Sequence, residues 1–448
     1  MEKWLSEITP IMDVEHNCIL SKQGDISIVF KVNLPEVFTQ SDNNYEALHQ
    51  SLIKAIKVLP KHTVFHKQDY FVQSRFQPDT DKNNNSFLSR SSDRFFNGRP
   101  YLQHDCYITL TKKPSGRKPS SSVFNSLVRP SIVPKQTISA VMLREFEDSA
   151  SQFARILSDR GIELERLEEQ DITSGKNKVG LIERYCTLSE SPGHLVVKDL
   201  QIKEQLKIGD QYCQLYTLAD VTDLPSLCGS RINYDKYSTD RTKFSIGFAS
   251  TLGLLLPCNH VYNQYIFIDD AGQTMKKLES KRLRLQSLAA YSRENAIARD
   301  AVGDFLNECV SEQRLPVKAH FNVLVWTDEP DELKDIKNKV TSALAQMEAA
   351  VKLETAGAAQ IWWAGIPGNA ADFPMNDTFD TFAEQACCFL SLETNYRDSD
   401  SEIGIRLGDR LTGKPVRADI SDEPVRKGIC TNRNKFILGP SLCRAILN

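Results

Sequence analysis

Residues Asn434-Lys-Phe-Ile-Leu-Gly-Pro-Ser441 read as a short buried strand running into a glycine turn. A P-loop opens in this way: a strand, then Gly-x-x-x-x-Gly-Lys-Ser/Thr, then a helix whose first amides hold phosphate. With Gly439 as the first glycine, the Gly-Lys-Ser/Thr triplet falls at 444–446. Arg444, Ala445 and Ile446 stand there, and the chain ends at Asn448. The lysine that reaches phosphate, the hydroxyl for magnesium and a later Walker-B carboxylate are expected to be missing. Gly439, Pro440 and Ser441 are the candidate nucleotide-site residues, expected as a non-functional remnant. No catalytic residue, bound cofactor or metal ligand is expected.

At 448 residues the chain has room for two to three domains. Its 41% hydrophobic and 25% charged residues are ordinary for a globular protein. A net charge of −3 and a pI near 6.3 give no global reason to expect nucleic-acid binding. No apolar run approaches the ~20 residues a membrane helix needs, and Met1-Glu-Lys-Trp-Leu-Ser-Glu7 has no apolar signal core. Eleven scattered cysteines without a Cys-x-x-Cys pair point to a reduced, cytoplasmic chain.

Cys18–Ser21 and Asp25–Val32 flank Lys22-Gln-Gly24 as a hairpin. A helix carries Tyr45, Leu48, Leu52, Ile56 and Leu59, with Asp42 as its expected cap and Pro60 as its stop. Strands at 62–75 and 104–111 complete this first module, with a polar loop from Asp79 to Asn85 between them. Residues 112–135 hold six basic residues, no acid and four prolines, and read as a solvated linker. Beyond it come a helix with Met142, Phe146, Ala150, Phe153 and Leu157 on one face, stopped at Gly161, and a helix over 179–187. Strands follow at 194–199, 211–219, 244–249 and 260–268. A helical segment of roughly forty residues over 272–314 exceeds an ordinary helix, so it bridges two lobes or breaks midway. Its C-terminal half carries the stripe Ala298, Val302, Phe305, Cys309. A strand at 321–326, a helix with Leu333, Ile336, Val340, Leu344 and Met347, and a helix near 378–390 complete the pattern.

The chain therefore reads as α+β: two mixed strand–helix lobes followed by the first strand of a missing P-loop (RecA-like) domain. The expected divisions are an N-terminal module over 1–111, the basic linker over 112–135 and a central lobe over 136–270. A long helix with a second lobe spans 271–424, and the start of the P-loop domain spans 425–448.

Other candidate chemistry is weaker. His62 and His66, four apart on a strand, stand ~13 Å from each other, too far for one zinc. Asp269-Asp270 is most simply a helix cap. No Gly-x-Ser-x-Gly elbow occurs. Trp362-Trp363 can stack a base, but packing between lobes is the plainer role. Cys387-Cys388 reads as small buried hydrophobes in a helix.

The stretch Asn434–Ser441 resembles the lead into Walker A of the TraG-type conjugative-transposon ATPases of type IV secretion. Ile11-Met-Asp13, the Cys18–Ser27 hairpin, Gln286, Arg293 and Asp300 of the long helix, and Gly365-Ile-Pro-Gly-Asn369 fit the same family. The resemblance implies the N-terminal, docking half of such an ATPase, without its ATP-hydrolysing motor, and therefore not an enzyme as this chain. ATP and magnesium belong to the intact parent. The implied partners are inner-membrane components of the conjugation channel and further copies of the chain, at a cytoplasmic place peripheral to the inner membrane. A frame slip within the loop is the simplest origin of the tail from Leu442 onward. The alternatives are an ATPase subunit whose motor is a separate polypeptide, and a nucleic-acid-binding adaptor using the basic linker.

Overall fold

The computed structural model describes residues 5–78, 87–114, 117, 140–175, 178–189, 199–202, 205–350, 352–401 and 404–436. Its strands are β1 (Ile11–Glu15), β2 (Cys18–Ser21), β3 (Ile26–Asn33), β4 (Thr63–Arg75), β5 (Pro100–Lys112) and β6 (Glu163–Arg166). Then follow β7 (Leu200–Gln201), β8 (Lys207–Ile208), β9 (Gln211–Leu218), β10 (Arg231–Tyr234), β11 (Phe244–Gly247) and β12 (His260–Ile268). The last are β13 (Pro316–Thr327), β14 (Lys352–Glu354), β15 (Phe379–Phe382), β16 (Ile405–Gly408) and β17 (Pro415–Ala418). The helices are α1 (Leu5–Ile8), α2 (Asp42–Val58), α3 (Phe87–Phe96), α4 (Ala140–Ser158), α5 (Glu169–Ile172) and α6 (Leu181–Thr187). They continue as α7 (Ala271–Leu288), α8 (Arg293–Ser311), α9 (Leu333–Ala345), α10 (Ala358–Ala364), α11 (Ala383–Cys388) and α12 (Glu423–Arg426).

The class is α+β, as expected. The divisions fall elsewhere than the sequence suggests. One compact unit comprises 1–73 with 102–395, and a second comprises 74–101 with 396–448. Among the described residues thirteen strands form one sheet, ordered β1-β2-β3-β5-β4-β12-β13-β9-β8-β7, with β6 beside β3, β14 beside β9 and β15 beside β13. The expected first module, central lobe and second lobe thus share a sheet. The physical reason lies in β12 and β13. Both are buried along almost their whole length, and a strand buried on both faces needs hydrogen-bonding neighbours on both edges. β4 and β13 flank β12 antiparallel, while β12 and β9 flank β13.

Alternation divides the core between the two faces. Tyr262, Ile266 and Ile268 of β12 pack with Val317, Phe321, Val323 and Val325 of β13 and with α2, α4, α9 and α11. Val261, Tyr265 and Phe267 turn to the opposite face with Leu324, Trp326 and α10. Trp362 and Trp363 are 1% and 2% exposed there, so the two indoles belong to this core and offer no face to a base. Tyr185 stacks on Trp362 at 5.8 Å. A Cβ on Gly365 would come within 2.0 Å of the Tyr185 hydroxyl, so a side chain is excluded there.

Local expectations are met and corrected residue by residue. α2 buries Tyr45, Leu48, Leu52 and Ile56, but its cap is Ser41, whose side chain accepts from the Asn44 N–H, and not Asp42. Phe146, Ala150, Phe153 and Leu157 line the buried face of α4, and Gly161 follows it at φ +83°. The long helix breaks midway into α7 and α8, which pack as an antiparallel hairpin. Asp270 caps α7 by accepting from the Gln273 N–H at 3.1 Å. The segment expected as helix near 378–390 opens as strand β15, because Phe379–Phe382 pairs with β13, before α11 begins. His62 stands just ahead of β4, with His66 inside it. Arg117, from the basic tract, is not solvated: its guanidinium pairs with Asp25 at 3.2 Å and with Asp372 at 2.7 Å and is 4% exposed. The rest of 115–135, the loop over 79–85 and most of the strand expected at 194–199 lie outside the described residues.

Candidate functional site

The lead-in to the expected phosphate loop is built from local geometry in the second unit. β16 and β17 pair antiparallel, Gly408 opposite Pro415. Arg406 lies over the Phe76 ring at 4.7 Å and pairs with Asp93 at 3.2 Å. The carboxylate of Asp419 accepts from the backbone N–H groups of Ser421, Asp422 and Glu423. Those amides hold the Asp419 carboxyl well below its ordinary range and start α12. Lys435 then reaches back to the Ser421 hydroxyl at 2.7 Å. Asn434, Lys435 and Phe436 carry no strand, and Phe436 is exposed. Gly439, Pro440 and Ser441 lie outside the described residues.

Gly408 to Lys414 also spells Gly-x-x-x-x-Gly-Lys, a match the sequence reading passed over. The signal against it is Pro415, where Ser or Thr would stand. The Asp409 N–H donates to the Lys414 carbonyl at 2.8 Å, the Gly413 N–H donates to Asp409 at 3.0 Å, and Gly413 sits at φ +73°. The segment is a hairpin loop with a strand after it. A phosphate cradle needs successive free amides at a helix N-terminus, and these amides are spent closing a turn. Lys414 itself donates to the Tyr396 carbonyl at 2.8 Å.

In the first unit the polar groups concentrate at the sheet centre. On one face Asp69 accepts from His104 Nε2 at 2.9 Å and Gln264 Nε2 at 2.6 Å, and it pairs with Lys67. His104 Nδ1 in turn meets Thr394 Oγ1 at 2.8 Å. Burial would raise the Asp69 carboxyl, but Lys67 and His104 outweigh it and hold the group well below its ordinary range. Hydroxyl, imidazole and carboxylate in a row suggest a nucleophile relay. The His104 and Asp69 side chains are only 1% and 0% exposed, however, and the backbone of Thr394 is bonded to Pro35 and Val37. This is a structural brace. Nearby, buried Glu393 accepts from the Gly247 N–H, the Ser250 hydroxyl and the Tyr45 hydroxyl, and burial raises its carboxyl.

On the other face Asn263 stands opposite Gln68 and Asn322, and the three amides bond across the strands at 2.8 and 2.9 Å. One residue pair further along, Tyr265 stands between His66 and His320, with the His66 ring stacked on it at 4.1 Å. Burial pushes His66 and His320 down to about 3 and His260 down to about 4, so all three are neutral. A cleft of about 490 Å³ lies beside β5 and α6. Most of its charges are matched internally, Arg184 with Asp105 at 3.0 Å, Lys31 with Asp105 at 4.0 Å, and Lys178 with Asp171. Among the described residues no group of three or more His, Cys, Asp or Glu side chains converges to hold a metal.

Two family models match the chain. Residues 2–50 match a model described as a domain of unknown function, B. Theta Gene description (DUF3875). Residues 404–444 match the TraG P-loop domain. No curated protein matches the chain. The second match covers the β16–β17 hairpin, the Asp419 turn and Gly439, Pro440 and Ser441. Over residues 404–444 the chain is thus similar to the TraG P-loop domain, in line with the resemblance read from Asn434–Ser441.

Proposed function

We propose that this chain is the assembly and docking part of a conjugative-transfer (type IV secretion) ATPase, and that it does not itself bind or hydrolyse ATP. The closed hairpin at Gly408–Pro415 carries this reading. Within the stretch matched to the P-loop domain, the Gly-x-x-x-x-Gly-Lys spelling closes a β-hairpin and opens no helix, which supports a loop that does not cradle phosphate. Gly439, whose position after an apolar run suits a phosphate loop, is not followed by Gly-Lys-Ser/Thr. Ahead of 404 stands a large sheet unit whose central polar groups bond largely to one another, which suits a rigid platform better than a reaction centre.

The partners proposed are inner-membrane components of the conjugation channel and further copies of the chain, met from the cytoplasmic side. Among the described residues no helix is long and apolar enough to cross a membrane. Equilibrium binding of labelled ATP to the 1–448 chain, with magnesium, tests the proposal. No saturable signal is expected; magnesium-dependent saturation in the micromolar range would overturn it. For docking, detergent-solubilised inner membranes should retain the chain when channel components are present and release it when they are deleted.

A further inference from the structure

The hairpin of α7 and α8 leaves the sheet with its outer part uncovered. Its buried residues, Leu278 and Cys309, lie toward the ends that join β12 and β13, and no residue from Glu279 to Glu308 is buried. Arg282 lies across the seam between the helices: a Cβ on Gly303 would stand 3.8 Å from its side chain. The turn at the tip is closed by hydrogen bonds. The Tyr291 N–H donates to the Leu288 carbonyl at 3.0 Å, and the Asn295 side chain donates to the same oxygen at 3.5 Å. Tyr291 stands on this closed turn, 87% exposed.

Charge sets this arm apart. The chain carries a net −3, yet residues 281–300 hold five cations, Lys281, Arg282, Arg284, Arg293 and Arg299, against the two carboxylates Glu294 and Asp300. Arg282 pairs with Glu279 and Arg299 with Asp300. Lys281, Arg284 and Arg293 are exposed, and no ion pair among the described residues engages them. Lys277, Lys281, Arg284 and Leu288 recur at helical spacing, so they share one stripe of α7 that ends beside the tip. Leu283, Leu288 and Ile297 are exposed as well. Nearer the sheet Asp304 and Glu308 match Lys276 and Lys277 in number, so the excess positive charge sits at the outer end.

We propose that the outer end of this hairpin docks on an anionic phospholipid surface, with Leu288 and Tyr291 entering the headgroup region and Lys281, Arg284 and Arg293 meeting lipid phosphates. Helices that bind a bilayer interface combine exposed leucine or aromatic side chains with Lys and Arg. A tyrosine suits that boundary because its ring is apolar and its hydroxyl is wet. Each cation held near an anionic leaflet strengthens binding about fivefold. The two other anionic partners fit less well. A single-stranded nucleic acid has a use for Tyr291 but none for Leu283, Leu288 and Ile297, and the core of a protein interface is poor in lysine. Contact with lipid goes beyond the proposed docking on channel proteins and stands on the hairpin's own residues.

The test floats the full chain with vesicles of phosphatidylcholine alone and of phosphatidylcholine mixed in equal parts with phosphatidylglycerol. Neither holds a channel protein, so the outcome is separate from that of the docking reading. Binding to the anionic vesicles is expected, about tenfold or more above phosphatidylcholine and weakening as salt shortens the Debye length. Lys281→Glu with Arg284→Glu should lose about tenfold or more, and Tyr291→Ser about threefold. Lys281→Arg with Arg284→Lys should bind as the parent does. All three positions are exposed, and circular dichroism checks that the helices remain. If the charge-reversed pair fails to fold, the comparison of the two vesicles and Tyr291→Ser still decide the matter. Equal binding to both vesicles, binding to neither, or binding untouched by the charge reversal would overturn the proposal. So would capture of a labelled single-stranded oligonucleotide in place of the anionic vesicles.

Discussion

The centre of the sheet and the helical hairpin are both long apolar-patterned pieces of the first unit, and they solve opposite problems. In β4, β12 and β13 both faces are covered over most of their length, so polar groups placed there can be satisfied only from inside. Some, such as His66 Nδ1 and the Tyr265 hydroxyl, have no partner among the described residues. Asn263 bonds to Gln68 and Asn322, and Asp69 to Lys67, His104 and Gln264. In α7 and α8, Leu278 and Cys309 alone are buried, while Leu283, Leu288, Ile297 and Val310 stay exposed. The centre depends on charge states and hydrogen bonds that water cannot replace. The hairpin depends on a narrow stripe of contacts with water close by. Perturbations should therefore be costly in the first and graded in the second.

Acid should give the largest effect. His66, His260 and His320 are held neutral, at about 3, 4 and 3, against an ordinary value of 6.5. With folded values depressed, the unfolded chain binds more protons once pH falls below about 6.5, and stability falls with it. The contribution is full above that pH and is lost progressively as pH falls through the histidine range toward the folded values. Each such histidine costs about 2 kcal/mol between pH 7 and 5. Asp25 and Glu393, raised by burial, work in the opposite sense by taking up protons in the folded state. Urea titrations at pH 7 and pH 5 should show the midpoint falling steeply. A flat profile would break the comparison at its centre.

Asp69→Ala comes next. It leaves the Lys67 ammonium, 3% exposed, without its carboxylate, and an orphaned buried charge costs about 3–5 kcal/mol. Replacing both residues, Lys67→Met with Asp69→Leu, should recover much of that loss, because the pair is needed more as a pair than as charges. Chemical denaturation of the three chains checks the order; a double variant as unstable as the single one would mean the brace does more than neutralise charge.

How far the sequence can be read follows the same divide. Helix faces were legible, because a stripe such as Phe146, Ala150, Phe153, Leu157 is a local property. The break in the 272–314 segment was one of the two readings its length allowed, the other being a bridge between lobes. The single sheet was not legible. β4 and β12 are neighbours although nearly the whole of 76–259 separates them, and periodicity identifies a strand without naming its partner. Arg117 was misread for the same reason: composition shows six basic residues but not that Asp25 and Asp372 wait for one of them. At the candidate site, Asn434–Ser441 carried a resemblance that the match over 404–444 repeats. The second glycine–lysine spelling at Gly408–Lys414 needed only its proline to be set aside.

The smallest effects belong to the hairpin, and they sharpen the comparison most. Phe305 of α8 stacks on Phe382 of β15 at 4.2 Å and ties the hairpin to the sheet. Its truncation, Phe305→Ala, should cost about 2 kcal/mol, less than a fully buried Phe because the site is half open to water. Leu283 is 53% exposed on α7, and glutamine is nearly as good a helix former as leucine. Leu283→Gln should therefore stay within about 0.5 kcal/mol of the parent. Hydrogen exchange adds a second reading: amides of α7 and α8 should open locally before those of β12 and β13, because few buried contacts hold them. Phe305→Ala should speed exchange in the hairpin and leave β12 protected. If instead it loosened β12 and β13 to the same degree, the hairpin and the sheet would be one cooperative body, and the contrast drawn between them would be one of exposure only, not of energetics.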